Sequence, residues 1–288
     1  MARIEDAIHR EVGRGAAGLF AAAKGGLWGA VEALSAAPIR HVGILTGFFV
    51  PKADPPAAET DGPAGAALLV HAFAAIGVPC RVLTDDSCRS ACEAALAGVA
   101  PVDSLPPGAD MAPAIDAWRG HGIDWALAIE RSGLSADGRP RNMRGEDVGA
   151  HAAPLDHVFS AGPWRTIGIG DGGNEVGMGA LPPGLVAAQV PFGDRIACVT
   201  PADHLIAAGV SHWGAYALIA GLAVAMPRWR GALLACLDPE IDRRIVTAMV
   251  LNGPAVDGVT LRREPTIDGL DLAAHADRLA EVKAAAGL

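Results

Sequence analysis

The chain has 288 residues, 51% of them hydrophobic, and a net charge of −9. That length leaves one large domain or two small ones open. The negative charge argues against a nucleic-acid partner, because such binding rests on Lys and Arg neutralising phosphates, so a small-molecule ligand is expected.

Apolar positions Ile4, Ile8, Val12, Leu19, Trp28, Val31 and Leu34 recur at near-helical spacing, which predicts an N-terminal helical segment over 1–36, covering the sheet. Charged residues Arg3, Glu5, Asp6, Arg10 and Glu11 precede any apolar stretch, so no export signal is expected. A unit then repeats in which a short β-branched run ends in a polar turn and leads into an alanine-rich helical stretch. Strands are expected at 39–46, 80–84, 125–129, 166–169 and 196–200, with helices such as 65–76 and 87–98 between them. This alternation predicts an α/β fold: a mostly parallel, doubly wound (Rossmann-like) sheet with helices on both faces, the whole of 1–288 forming a single domain. The apolar run 215–226 is shorter than the roughly 20 residues a bilayer requires and is expected as a buried helix, with no membrane partner. Five scattered cysteines, Cys80, Cys88, Cys92, Cys198 and Cys236, lack the density of a disulfide scaffold, which points to the cytoplasm. Cys88 and Cys92 share a helical face, but no second pair follows at zinc-site spacing. A homo-oligomer is compatible with the sequence.

Open α/β sheets bind ligands beyond the carboxyl ends of their strands. Here the expected strands are followed by Thr46-Gly47, Thr84-Asp85-Asp86, Glu130-Arg131, Gly170-Asp171, and Thr200 with Asp203. Asp86 and Asp203 precede helical stretches and read as helix caps; Glu130 and Asp171 do not. The connections 132–156 and 181–189 read as long irregular loops flanking the site, as binding loops often are.

The most distinctive segment is Gly170-Asp171-Gly172-Gly173-Asn174-Glu175. With Gly168 it satisfies the G-x-G-x-x-G dinucleotide pattern, but glycines and the Pro182-Pro183 pair follow where that motif needs a helix to receive the pyrophosphate. It also resembles the magnesium-holding G-D-G-x-N-D loop of haloacid-dehalogenase-type phosphatases, yet no Asp-x-Asp nucleophile follows the first strand. What remains is a loop whose glycines let backbone amides approach an anion, with Asp171 and Glu175 as a carboxylate pair and Asn174 offering a donor and an acceptor. Further polar clusters lie at Glu59-Thr60-Asp61-Gly62-Pro63, at Glu130-Arg131 through Asn142-Met143-Arg144-Gly145, and at Val210-Ser211-His212-Trp213-Gly214.

These clusters, with Asp137-Gly138, Ile169 to Gly179, Val256-Asp257-Gly258 and Thr266 to Leu270, resemble the D-glutamate cyclase-like family over most of the chain. Where the family pattern has Ser-Asn-Trp-Gly, this chain has Ser211-His212-Trp213-Gly214. The resemblance implies a carbon–oxygen lyase (hydro-lyase) that converts D-glutamate to 5-oxo-D-proline and water, as a standalone version of the C-terminal part of a longer mitochondrial protein. Such chemistry needs a base, an acid and an anion clamp. On this reading Asp171 and Glu175 transfer protons with Glu130 beside them, and Asn174 and the loop amides hold the developing oxyanion. Arg131 or Arg144 takes the α-carboxylate, with Asn142, Gly172, Gly173, Ser211, His212 and Thr60 completing the substrate site. Glu59, Asp61, Glu130 and Asp171 could instead hold Mg²⁺ or Mn²⁺. The rival readings are a non-catalytic module for acidic ligands and a magnesium-dependent phosphatase-like hydrolase.

Overall fold

The computed structural model describes residues 1–288. Six strands, β1 (Val42–Thr46), β2 (Cys80–Asp85), β3 (Val102–Leu105), β4 (Trp125–Ile129), β5 (Arg165–Gly170) and β6 (His204–Ala207), pair in parallel. Their spatial order is β3-β2-β1-β4-β5-β6, the doubly wound order in which the chain reverses direction between β1 and β4. Around the sheet lie α1 (Ala2–Ile8), α2 (Ala17–Ala23), α3 (Gly26–Ser35), α4 (Pro63–Ala75), α5 (Arg89–Leu96), α6 (Ala112–Gly120), α7 (Asp156–Ala161), α8 (Leu185–Gln189) and α9 (Gly193–Ile196). They are followed by α10 (Ser211–Ala225), α11 (Arg230–Cys236), α12 (Pro239–Asn252) and α13 (Leu272–Ala286).

Alternation along the strands separates the faces. Val42, Ile44, Val82, Leu127, Ile129, Ile167, Ile169 and Ile206 enter a cluster of 54 buried residues shared with α1, α3, α4, α5, α10, α12 and α13. Leu45, Leu83, Ala126 and Ala128 enter a cluster of only 13, covered by Trp118 of α6 and Phe159 of α7. Leu205 and Ala207 meet α2, α8 and α9 in a third cluster. Thirteen of the fifteen residues of α10 are buried, so this helix is apolar all round and belongs to the core. No single helix is long and apolar enough to cross a membrane. All five cysteines are free and buried.

Four expectations are corrected. The run 196–200 is not a sheet strand, because its backbone pairs with loops: Cys198 N–H donates to the Gly173 carbonyl, Val199 N–H to Leu134, and the Thr200 carbonyl accepts from Gly177 and Gly179. The edge strand is β6, so Asp203 precedes it rather than following a strand, and its carboxylate holds Thr166 N–H at 2.8 Å instead of capping a helix. Strand β3 carries only two apolar residues and is half-buried throughout, which is why the apolar pattern passes over it. Finally, α1 packs on α13 and α10, and α3 on α10 and β6, so the N-terminal helices wrap the helical layer and one sheet edge rather than a whole face.

Candidate active site

A cavity of about 200 Å³ opens where the strand order reverses. That is smaller than the roughly 300–1,000 Å³ pockets of drug-sized ligands and suits a small metabolite. Its floor is acidic: Glu59, Glu130, Asp171 and Asp268 line it together with Arg14 and Asn174. Its mouth carries Lys52, Asn142, Met143, Arg144 and Glu146, with the apolar stretch Phe48–Pro51 and Val259 as walls. Lys52 and Glu146 form an ion pair across the mouth. Arg144 is exposed, and its guanidinium has neither an ion pair nor a hydrogen bond within the chain.

The floor is assembled around the N-terminus of α10. The first N–H groups of a helix have no partner within it and carry the positive end of its dipole. Val210 at the cap position supplies no side chain for them, so carboxylates arrive from elsewhere. Asp61 accepts from Ser211 N–H at 3.2 Å and His212 N–H at 3.0 Å, and Asp171 accepts from Ser211 N–H at 3.1 Å. The Ser211 hydroxyl donates to Glu130 at 2.5 Å. Glu130 sits just past β4 at φ +41°, a conformation costly for a residue with a side chain and common at functional turns.

The glycine loop after β5 folds back over its own strand. Gly177, at φ +105°, lies so close to Gly168 that a Cβ on it would fall 2.7 Å from the Gly168 Cα. The amides of Asp171, Gly172 and Gly173 all donate to the Glu175 carboxylate, at 3.2, 2.7 and 2.8 Å. This corrects two expectations. The amides are not free to hold an oxyanion, and Glu175, 1% exposed, closes the loop rather than facing the cavity. Asn174 does face it, but its amide donates to the Arg141 carbonyl at 2.9 Å while its buried Oδ1 has no partner. Asn174 therefore presents an acceptor where a donor was expected.

One cation lies among these acids. Arg14 makes ion pairs with Asp171 at 3.1 Å and Asp268 at 2.7 Å, and donates to the Gly209 carbonyl. It is aimed by a turn whose amides at Gly13, Arg14 and Gly15 converge on Glu11. Burial opposes its charge, but Asp171 and Asp268 outweigh burial and hold the guanidinium protonated. A single arginine does not balance so many carboxylates. Burial, the largest cause in each case, pushes Glu59, Asp61, Glu130 and Asp171 well above the usual carboxylate range, and their mutual repulsion adds to it. The floor is thus a proton-bearing acid cluster.

The other expected residues are placed as follows. Arg131 is turned away: it pairs with Asp85 and donates to the carbonyls of Gly47 and Ala153, all buried. Thr60 donates to the Thr266 carbonyl at 2.7 Å and so fastens the C-terminal turn that carries Asp268. His212 points into the helical layer, where its Nε2 meets Asp242 at 3.0 Å. Gly172 and Gly173 serve the Glu175 knot. Asn142 and Arg144 do line the mouth. Arg14 and Asp268 were not anticipated: Arg14 reaches the site from the N-terminal end, where no local pattern marks it, and Asp268 belongs to the Thr266 to Leu270 stretch, whose resemblance carried no role for it.

Carboxylate oxygens suit Mg²⁺ or Mn²⁺, and two groups bring such atoms within 4.8 Å of one another: Asp61, Asp171 and Asp268, and Glu130, Asp171 and Glu175. Glu59 belongs to neither. In the first group Arg14 already pairs with Asp171 and Asp268, while Asp61 is committed to α10; in the second, Glu175 is committed to the loop amides. A cation at either group would share its carboxylates with Arg14, with the start of α10 or with the loop amides.

Residues 4–283 match the family described as D-glutamate cyclase-like, C-terminal. The chain belongs to this family. It is also 34% identical to human mitochondrial D-glutamate cyclase over 209 residues, which are 66% of this chain and 34% of the human protein. The chain therefore spans about a third of the length of that relative. Within this D-glutamate cyclase-like fold, several of the segments that carry the resemblance reach the cavity, through Glu59, Glu130, Asn142 to Arg144, Asp171, Asn174, Gly258 and Asp268.

Proposed function

We propose that the protein is a lyase that cyclises D-glutamate to 5-oxo-D-proline and water in this cavity. The observation that carries the reading is the pairing, on one small cavity, of proton-bearing buried acids with a guanidinium, Arg144, that has no partner of its own. An amino dicarboxylate supplies what each lacks.

The reaction is intramolecular, so little entropy remains to be lost. Its difficulty is protonic. The ammonium nitrogen gives up two protons and one oxygen of the γ-carboxylate takes up two, leaving as water. The acids therefore end each turnover in the protonation state in which they began. With the α-carboxylate held bidentately by Arg144 at the mouth, the γ-carboxyl reaches the floor beside Asp171 and Glu130. Either in its acid form donates to the departing oxygen, and the carboxylate so formed accepts from the nitrogen. Arg14 offsets the charge that develops on the carbonyl oxygen. Neutral acids also let an anionic substrate enter a site that would repel it if every carboxylate were ionised.

Incubating the purified chain with D-glutamate and, separately, L-glutamate, then resolving 5-oxoproline on a chiral column, tests the reading. Product is expected from the D-enantiomer, lost in a folded Asp171→Asn variant and retained after dialysis against a chelator. Calorimetric binding without product would instead favour a non-catalytic module, and turnover abolished by chelation would restore the metal.

A further inference from the structure

Glu59 differs from the other acids of the cavity in having no partner. Asp61 and Asp171 hold the start of α10, Asp171 and Asp268 hold Arg14, Glu130 accepts from Ser211, and Glu175 closes the glycine loop. Glu59 is 8% exposed and lines the cavity, yet its buried Oε1 accepts nothing. Its backbone is fixed on both sides: Glu59 N–H donates to the Phe48 carbonyl, Thr60 N–H to Val256, and Val256 N–H to Ala58. The peptide that carries the side chain is therefore held in place on the cavity wall. Room for it is kept by Gly258, where a Cβ would lie 2.3 Å from Glu59 Oε2. Asn174 Oδ1, also buried on the cavity wall without a hydrogen-bond partner, is likewise an acceptor, whereas Asp268 Oδ2 has the Arg14 ion pair. A buried acceptor left empty is costly, and here what is missing is a donor.

We infer that Glu59 is the specificity-determining residue that receives the substrate's ammonium, with Asn174 Oδ1 as a second acceptor, so that the cavity selects α-amino dicarboxylates over dicarboxylates without an amine. The inference rests on the cyclase reading for its substrate class, though not on turnover. Arg144 alone would bind any dicarboxylate; Glu59 and Asn174 add the demand for a donor. Burial and the neighbouring Asp268 push the Glu59 carboxyl well above the usual range, and an arriving ammonium supplies the opposite charge that favours its ionised, accepting form.

The test compares D-glutamate with glutarate, which has the same carbon chain and carboxylates but no ammonium. Calorimetric titrations are run on the full chain carrying Asp171→Asn, which stops turnover, with and without Glu59→Gln. D-glutamate is expected to bind about tenfold or more tighter than glutarate, and Glu59→Gln to erase most of that preference while leaving glutarate affinity within about twofold. Gly258→Ala, which crowds the Glu59 carboxylate without changing any donor or acceptor of the site, is expected to act in the same direction and serves if Glu59→Gln does not fold. An unchanged preference in the folded variants, in a chain whose Asp171 form cyclises D-glutamate, overturns the role of Glu59 alone. Failure of that Asp171 chain to bind or cyclise D-glutamate overturns the cyclase reading and this inference with it.

Discussion

Replacing Asp85 by Asn is the sharpest test of how the site is supported. Asp85 and Arg131 are each 1% exposed, and the Asp85 carboxylate takes both guanidinium nitrogens of Arg131 together with the Ala153 amide at 2.7 Å. The substitution keeps volume and removes charge. Arg131 cannot shed its proton even without Asp85, because a guanidinium stays protonated in proteins, so the variant buries an uncompensated cation. Breaking one side of a buried pair costs about 3–5 kcal/mol, a large part of the roughly 5–15 kcal/mol that holds a typical domain together. In a chain of this size the melting temperature should fall by about 10 °C. Urea unfolding followed by circular dichroism measures the loss. The double variant Asp85→Leu with Arg131→Met, which leaves no charge behind, should recover most of it and retain cyclisation with a near-normal KM. A single variant within about 1 kcal/mol of the unmodified chain would refute the structural role, and loss of substrate binding in the stable double variant would return Arg131 to the substrate site.

Glu175→Gln leaves one acceptor oxygen for three loop amides and should cost about 2–3 kcal/mol in denaturant unfolding while slowing hydrolysis-free turnover through a loosened loop rather than a lost proton donor; full stability would contradict the closing role. Arg144→Ala should raise KM for D-glutamate about tenfold or more with kcat changed far less, the pattern of lost ground-state binding, and an unaltered KM would remove Arg144 from the site. His275, buried between Trp213 and the Ile267 carbonyl, has its pKa lowered by burial from 6.5 to about 4. Because the folded-state value lies below the unfolded one, the stability it protects is intact above pH 6.5 and is lost as pH falls towards 4, by about 3 kcal/mol in all. His275→Gln should flatten that part of the pH–stability curve, and an unchanged slope would show that His275 does not control it.

The site owes its properties to a conflict between stability and chemistry. Asp61 and Asp171 satisfy the start of α10, which a local cap would otherwise do. In gathering there, they and their neighbours repel one another out of reach of water. Burial first, and that repulsion with it, destabilises the fold and favours the protonated form of carboxyl groups beside a small cavity.

Local sequence determined much of this protein. Short β-branched runs separated by alanine-rich stretches sufficed for the parallel sheet, since a strand buried on both faces has few other compositions open to it. Polar residues past β4 and β5 pointed to the strands' carboxyl ends, where Glu130 and Asp171 line the acidic cavity. Tertiary structure alone decided what each group does. The backbone of 196–200 was spent on loops rather than on the sheet, and Asp85 took Arg131 out of the cavity. The loop amides turned to Glu175, and Arg14 and Asp268 came in from opposite ends of the chain. The physical reason is that a side chain's role depends on which partner satisfies it first. Apart from the Glu175 knot, whose amides are two to four residues away, such partners lie tens to hundreds of residues away, where no local spacing records them.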